Sequence, residues 1–552
     1  MKNIKIWAAC SFLALMGLSS CDLTELNVNP NEPTSDVNFN MLNARLVSTM
    51  RGVYIIEGDN EQRYKSLQID FYSQIMDAGG GFATRNNGTV DDWNSRVWTS
   101  RQQNLAALNV VIRDTKAESF PNTVGVARIW RVFLQSMNVD FFGPAPFPSS
   151  KDNLMETQPY KSVQDCYTEF FTELDEAIKM LDPNGAAIFV DNANEDLVYK
   201  GDVEKWARFA NSLRLRLAMR LSEIAPDICK SQAEAALAGG VMTSSDDKAQ
   251  LPPIGNNSWG NNYNYKMFQI DWSSPCNLTS TFYKLLVNIG GQAWPAGVVN
   301  TTPTIDKNPA IPVSANHPAV VDPRGPKMFQ PAIKGGDWKG LPVGLQKDNE
   351  EGFKHENYAE MGFLVKNGAV DLGHPYDVMM YEEVCFLKAE AYARNILSGN
   401  AKSEYENGVR ASFEKWGVAD KADAYLASKE KNEAGTSANY DDQSSGGNTV
   451  LEKIITQKYI AAYPDVAFES WNDKRRLNLP RFDLLAYSLE TGFASSITDP
   501  TSYIQRAKYP TIEQTTDKVE YDKGLTLLAG PDLVTTPIWW ASKKSNYCTS
   551  TK

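Results

Sequence analysis

Apolar residues that recur every three or four positions are the strongest constraint on how this chain of 552 residues can fold. Such spacing places them on one face of an α-helix. The clearest case lies between residues 201 and 221, where Asp202 stands before the first turn and can accept hydrogen bonds from its backbone N–H groups. The apolar positions of this stretch are Val203, Trp206, Ala210, Leu213, Leu217 and Leu221. The pattern predicts an amphipathic helix.

The same spacing recurs along much of the chain, and few segments alternate apolar and polar residues as a strand does. We therefore predict a mainly α protein. On the 201–221 helix, four arginines fall largely off the apolar face, which predicts a solvated or salt-bridged flank; they are Arg208, Arg214, Arg216 and Arg220. The other predicted helices cover residues 39–56, 60–77, 95–116, 123–140, 160–181, 376–397, 402–416 and 448–462.

Two of these helices form a close pair in the sequence, at residues 386–394 and 405–413. Alanines stand where the helices would cross, and aromatic residues can fill the remaining gaps. This pattern is similar to one tetratricopeptide hairpin, although no clean 34-residue repeat runs along the chain. The prediction is a degenerate tetratricopeptide-like scaffold with an interruption.

The interruption extends from about residue 243 to 345, where Pro, Gly, Asn and aromatic residues replace the helical pattern. An irregular segment of this length in a helical protein is usually functional or disordered. Its tryptophans argue against disorder, because disordered segments are poor in aromatic residues. We therefore predict a large, irregular and ordered insertion.

The N-terminus has the pattern of an export signal. Lys2 and Lys5 precede an apolar run at residues 6–17, which is shorter than the roughly 20 apolar residues that span a membrane. The run leads into Leu18-Ser-Ser-Cys21, which fits a bacterial lipobox. We predict a signal peptide at 1–20, a lipidated Cys21 with a tether at 21–38, and a folded body at 39–552. An ordinary secreted protein with a cysteine there by chance is the alternative.

Composition and motifs narrow the possible functions. A formal net charge of −12 argues against nucleic acid as a partner. The three histidines, His317, His355 and His374, are too widely spaced to form a metal-binding pair by sequence, and no nucleophile elbow or phosphate loop is present. We predict no catalytic residue, no metal and no cofactor, although a site assembled from distant residues stays open.

Aromatic side chains in irregular sequence, with Asn and Arg neighbours, are the best candidates for ligand contacts. The apolar C–H face of a sugar ring packs on an aromatic ring, and its hydroxyls need amide and guanidinium partners. The alternative is that these rings only pack the insertion onto the helices. The predicted ligand-binding residues are Arg85, Asn87, Trp93, Trp98, Trp259, Tyr263, Tyr265 and Trp272.

A series of short motifs runs along nearly the whole chain and together carries a family resemblance. The motifs lie at residues 26–34 (LNVNPNEPT), 140–147 (DFFGPAPF), 199–206 (YKGDVEKW), 210–216 (ANSLRLR), 322–324 (DPR), 386–391 (FLKAEA), 457–461 (QKYIA), 469–476 (ESWNDKRR) and 506–510 (RAKYP). In this order they resemble the SusD/RagB family of outer-membrane lipoproteins of Bacteroidetes, in particular its SusD-like branch. Within them we interpret Trp206 and Trp471 as core residues, and Arg475 and Arg476 as ion-pair partners of nearby carboxylates.

The resemblance implies a tetratricopeptide-like scaffold carrying an elaborated insertion, lipid-anchored in the outer membrane and exposed at the cell surface. It also implies a partner, a SusC-like TonB-dependent transporter, over which the protein closes as a lid and to which it passes oligosaccharides. Peptides in place of sugars are the first alternative. A surface glycan hydrolase is the second, and it would need two carboxylates about 5 to 10 Å apart across a cleft.

Overall fold

The computed structural model describes the chain from residue 35 onward with internal gaps. The described residues are 35–52, 62–78, 82–147, 158–189, 195–253, 276–305, 307–345, 355–366, 368–371, 373–443, 446–485, 503–543 and 545–551. The predicted signal peptide, Cys21 and most of the predicted tether lie outside these residues. Residues 35–38, at the end of the predicted tether, instead belong to the first helix.

Fourteen α-helices of six residues or more occur within the described residues, and they confirm the predicted mainly α fold. They are α1 (Ser35–Arg51), α2 (Asp91–Asp114), α3 (Pro121–Phe142), α4 (Val163–Met180), α5 (Val203–Arg220), α6 (Pro226–Gly239), α7 (Ser280–Leu286), α8 (Tyr381–Ala393), α9 (Ala401–Lys415), α10 (Ala422–Ala427), α11 (Val450–Ala461), α12 (Ala467–Leu477), α13 (Thr511–Thr516) and α14 (Lys518–Thr526).

Sequential helix pairs build the scaffold: α3 packs on α4, α5 on α6, and α8 on α9. The predicted cap of α5 is confirmed, since Asp202 accepts a hydrogen bond of 3.0 Å from the backbone N–H of Lys205. In the α8–α9 pair, a Cβ on Gly408 would lie 2.8 Å from the ring of Phe386, so this helix crossing requires glycine. These hairpins confirm the tetratricopeptide-like scaffold.

Strands are short, and most lie between α6 and α8. They are β1 (Met76–Asp77), β2 (Ala145–Pro146), β3 (Tyr160–Lys161), β4 (Ala249–Leu251), β5 (Asn277–Leu278), β6 (Val299–Asn300), β7 (Ile311–Pro312), β8 (Phe329–Gln330), β9 (Glu360–Met361), β10 (Val365–Lys366), β11 (Ala369–Val370) and β12 (Tyr376–Met379). One antiparallel sheet has the order β1-β5-β9-β8, and the others are the pairs β2–β3, β4–β12, β6–β7 and β10–β11. The predicted limits of the insertion, 243 and 345, remain a prediction.

Three predicted helices contain strand residues in the structure. The stretch predicted at 160–181 begins as β3, and α4 starts only at Val163. The stretch predicted at 60–77 is a π-helix at Gln62–Ile69, then one α-turn at Asp70–Tyr72, and its last two residues form β1. The stretch predicted at 376–397 begins as β12, and α8 starts only at Tyr381. In these stretches helix-like spacing continues into residues that pair as short strands, and periodicity alone does not separate a buried strand from a buried helix.

The arginine flank of α5 is not solvated as a whole. Arg216 and Arg220 are buried and form ion pairs of 2.7 Å with Glu383 and Glu469. The salt-bridged alternative is therefore correct for this part of the helix, and the solvated one is wrong there. The reason is that helices pack on both sides of α5, which the apolar stripe alone does not reveal.

The family motif at the end of α12 divides into two different environments. Arg476 forms the predicted ion pairs, since its guanidinium contacts both carboxylate oxygens of Glu390 at 2.5 Å and lies 2.9 Å from Asp473. Arg475 instead lies over the Trp471 ring, 3.6 Å from its centroid, and donates to the backbone oxygen of Gln505 at 2.7 Å. Burial lowers the pKa of Arg475 to about 9. Trp206 and Trp471 are buried core residues, as predicted.

We predict that Glu390→Gln lowers the free energy of unfolding by about 3 kcal/mol, because it leaves the buried Arg476 guanidinium with reduced compensation. Burial opposes ionisation of Glu390, but the Arg476 charge outweighs it and holds the pKa at about 2. Urea denaturation at neutral pH measures the effect. Glu204→Gln is the control, because Glu204 pairs with Arg208 on the exposed surface of α5 and should cost less than about 1 kcal/mol. Equal losses in the two variants would contradict the prediction.

Candidate functional site

Two of the predicted ligand residues lie at one edge of the four-stranded sheet. Arg85 belongs to a 3₁₀ turn, Ala83–Asn86, that follows β1. Asp77 of β1 binds its guanidinium, with distances of 2.9 Å to Nε and 2.7 Å to Nη2. Asn87 ends the turn with φ of 60°, a left-handed conformation that Asn adopts more readily than most residues. Both side chains are largely buried, 3% and 5% exposed, and they line a small, partly open cavity at this edge of the sheet.

This cavity, here called the Arg85 cavity, has a volume of about 30 Å³, room for one or two water molecules. Its other walls come from Tyr72 and from residues late in the chain, Lys474, Phe482 and Tyr503. The Lys474 ammonium lies 4.6 Å from the Phe482 ring centroid and 5.2 Å from that of Tyr503. Burial lowers the pKa of Lys474 to about 7. The cavity thus combines a guanidinium, an amide and aromatic rings, but it is too small for a sugar ring.

A row of aromatic rings leads from this cavity toward the surface. Phe71, which lines the cavity, lies 6.5 Å from Phe82, and Phe82 lies 5.8 Å from Trp93 on the first turn of α2. Phe82 and Trp93 are half-buried. Trp93 is therefore held by a neighbouring ring while part of its surface remains accessible, as stacking on a ligand requires.

Trp98 is placed differently from the prediction. It lies one turn further along α2, is 2% exposed, and packs against Phe142, Tyr160 and Tyr509 at centroid distances of 5.2 to 6.0 Å. Protein atoms cover both sides of the ring. Trp98 belongs to the core in this structure, and the reason is simple helical geometry: residues 93 and 98 are five positions apart and occupy different faces of α2.

The four aromatic residues predicted in the insertion lie outside the described residues. They are Trp259, Tyr263, Tyr265 and Trp272. Their role as ligand contacts remains a prediction.

Sequence reasoning missed the walls of the Arg85 cavity that come from the end of α12 and from the chain beyond it. Lys474, Phe482 and Tyr503 are separated from Arg85 by about 400 positions, and no local pattern relates them. The family motif at 469–476 includes Lys474, but that motif indicates the family without marking a ligand site.

A row of polar side chains crosses the four-stranded sheet from the Arg85 cavity. Asp77, Asn277, Glu360 and Gln330 are direct partners on successive antiparallel strands, and all four are buried. Direct partners project to the same side of a sheet. Three strand spacings place the two ends of the row about 14 Å apart. The row therefore runs from Asp77, which binds Arg85, to Gln330 on the strand at the opposite edge of the sheet.

Glu360 is the titratable centre of this row. Asn300 and Gln330 donate to its Oε1 at 2.7 and 3.0 Å, and so does the hydroxyl of Thr302 at 3.1 Å. Burial raises the pKa of Glu360 to about 7, against the opposite effect of these hydrogen bonds. No three His, Cys, Asp or Glu side chains among the described residues converge as metal ligands.

Comparison with known proteins identifies the family. The family model for SusD-like proteins, described as SusD and RagB outer-membrane lipoproteins, matches residues 25–274 and 319–541. This chain belongs to the SusD-like family. A search of curated protein sequences gives no match. Within the residues that the structure describes, no helix is both long enough and apolar enough to cross a membrane.

Solved structures of SusD homologues share the fold over nearly the whole chain. A SusD homologue from Parabacteroides distasonis is 50% identical with a TM-score of 0.89, and the alignment covers 93% of this chain and 100% of that one. A homologue from Bacteroides vulgatus is 24% identical with a TM-score of 0.74, covering 93% and 100%. A chitin-binding homologue from Flavobacterium johnsoniae is 23% identical with a TM-score of 0.72, covering 92% and 100%.

We predict that Trp98→Ala lowers the free energy of unfolding by about 3 kcal/mol or more, because it empties a fully enclosed aromatic site. Trp93→Ala, on the same helix of this SusD-like protein, should cost less than half as much, because part of the Trp93 ring already faces solvent. Chemical denaturation of both variants measures the difference. A Trp98→Ala variant as stable as the wild type would show that this ring is not a core element.

We predict that Glu360→Gln becomes more stable than the wild type as the pH rises. The folded pKa of Glu360, about 7, lies above its ordinary value of 4.5, so its contribution is fully present below pH 4.5 and is lost as the pH rises through about 7. A neutral amide avoids that loss, and the gap between variant and wild type should grow by on the order of 2 kcal/mol between pH 5 and 8. Urea denaturation across this range measures it, and a constant gap would refute the prediction.

Proposed function

We propose that this SusD-like protein binds oligosaccharides without catalysis, using the half-buried ring of Trp93 as a stacking surface. The observation that carries the proposal is the position of that ring, supported by Phe82 at 5.8 Å and partly open to solvent. Rigid support matters because a ring already fixed in place loses little side-chain entropy when a ligand stacks on it.

Polar groups close in sequence to Trp93 complete the proposed surface. Asn87 ends the turn that precedes α2, and Asp77 orients the guanidinium of Arg85 in the same turn. A sugar offers hydroxyls around an apolar ring, so stacking with nearby amide and guanidinium donors fits its chemistry. The Arg85 cavity itself, at about 30 Å³, would support this surface from below rather than enclose a sugar.

We further propose that the protein is anchored at the cell surface through lipid on Cys21 and delivers its ligand to a SusC-like TonB-dependent transporter. Family membership supports this, because the family is one of outer-membrane lipoproteins. The predicted ligand contacts Trp259, Tyr263, Tyr265 and Trp272 belong to the same proposal. Metabolic labelling with a fatty-acid analogue, compared between wild type and Cys21→Ala, tests the anchor.

Trp93→Ala is predicted to weaken oligosaccharide binding by at least about tenfold, because loss of a stacked ring costs on the order of 1.4 kcal/mol. Isothermal titration calorimetry with a panel of plant, microbial and host glycans first finds the ligand; chitin oligosaccharides belong in the panel because one homologue is described as chitin-binding. The variant is then measured with the glycan that binds.

Trp539→Ala is the matched control, since Trp539 is also half-buried but lies in the C-terminal 3₁₀ turn Trp539–Ala541. It should bind as the wild type does. Unchanged affinity in Trp93→Ala would refute the stacking surface. Binding of protein digests with no glycan hit would replace sugars with peptides.

Asn87→Gly tests the polar part of the surface without disturbing the backbone. Glycine adopts positive φ freely, so the turn that ends at φ of 60° is preserved while the amide is removed. We expect glycan affinity to fall by about fivefold, consistent with loss of one hydrogen bond, with the far-ultraviolet circular dichroism unchanged. An unaltered affinity would show that Asn87 has no part in binding.

A further inference from the structure

A second cleft opens at the far end of the polar row, away from the Arg85 cavity. Its volume is about 490 Å³, within the range of sites that enclose small organic ligands. It lies between the loop that leads into β6, the turn Gly325–Met328 and the turn Ala419–Lys421. None of the residues that line it lines the Arg85 cavity.

Apolar groups on stiff backbone form the sides of this cleft. Pro295, Pro323 and Pro326 are joined there by Val299 and Val365. A proline ring fixes its own φ angle, so these walls lose little freedom when a ligand arrives. Such walls suit the apolar face of an organic ligand and leave a bare inorganic ion poorly covered.

The charge of the cleft is opposite to that of the protein. The described lining residues include two lysines, Lys327 and Lys421, and no aspartate or glutamate, although the whole chain has a formal net charge of −12. Lys421 lies 3.1 Å from exposed Asp420, while the ammonium of Lys327 forms no ion pair with any described residue. A concave surface lined with charge of one sign concentrates ligands of the opposite sign.

A fixed polar floor completes the cleft. The side chain of Gln330 is buried, with its Nε2 donating to Glu360 at 3.0 Å and to Thr302 at 2.5 Å. Its Oε1 accepts from the backbone N–H of Thr301 at 3.2 Å. These three hydrogen bonds hold the Gln330 side chain in place, and the hydroxyl of Thr301, which also lines the cleft, is not engaged by any other described side chain.

We propose that this cleft is a second ligand site, which binds a sugar unit carrying a carboxylate or sulfate group. Lys327 and Lys421 pair with the anionic group, the prolines and valines cover the apolar face of the ring, and the hydroxyl of Thr301 meets one of its hydroxyls. The proposal goes beyond the binding of oligosaccharides at Trp93 and does not depend on it, because the two regions share no residue and lie at opposite ends of a row about 14 Å long.

The test uses the purified protein and four probes: D-glucuronate, glucose 6-sulfate, glucose and inorganic sulfate. Titration calorimetry at low salt should show binding of the two charged sugars only, with an affinity that falls as the salt concentration rises. The double substitution Lys327→Gln with Lys421→Gln should weaken it by at least about tenfold. Lys230→Gln, an exposed lysine on α6, is the matched control and should bind as the wild type does.

Each outcome decides the proposal. Equal binding of glucose and glucuronate, or unchanged affinity in the double lysine variant, overturns it. If inorganic sulfate displaces glucuronate at equal concentration, the cleft binds anions without recognising the sugar ring, and the proposal of a sugar site is overturned. Loss of glucuronate binding in Trp93→Ala, with retention in the double lysine variant, would assign the acidic sugar to the Trp93 surface. Binding of neutral glycans by Trp93→Ala tests only the proposed Trp93 surface. The two proposals can therefore be refuted independently of each other.

Discussion

Buried ion pairs between helices that are distant in sequence hold the SusD-like scaffold together. Arg220 of α5 binds Glu469 of α12 and lies 3.3 Å from Asp140 of α3, and Arg476 of α12 binds Glu390 of α8. Removing one partner of such a pair strands a charge in a medium that solvates it poorly, which makes a relative shift of these helices costly. The positions of the helix ends, and of the loops they carry, depend on these contacts.

The geometry of the Arg85 cavity depends on this scaffold. Lys474 lies in the last turn of α12, and Phe482 follows that helix in the chain; both line the Arg85 cavity. The ion pairs of Arg476 hold α12 in place. Asp77 then orients Arg85 from the edge of the sheet. Trp93 is half-buried and keeps its position through a different contact, the neighbouring ring of Phe82 at 5.8 Å.

Sequence patterns were sufficient for most of the helical scaffold, and for a physical reason. Local spacing encodes which face of a helix is buried, and caps such as Asp202 encode where it starts. The burial of Arg216 and the enclosure of Trp98 depend instead on which helices pack across from α5 and α2, which spacing does not contain. For the candidate site, Arg85 and Asn87 were placed together, but the walls of their cavity come from residues nearly 400 positions away.

The sheet that carries the polar row consists of two-residue strands. Strands this short cannot form a stable sheet by themselves. The helices packed against the sheet must therefore hold the segments between the strands in place. Substitutions in those segments should therefore cost the helical scaffold little stability. The homologues at 23% and 24% identity share the fold although three quarters of their aligned residues differ, which is the sequence latitude that such an architecture allows.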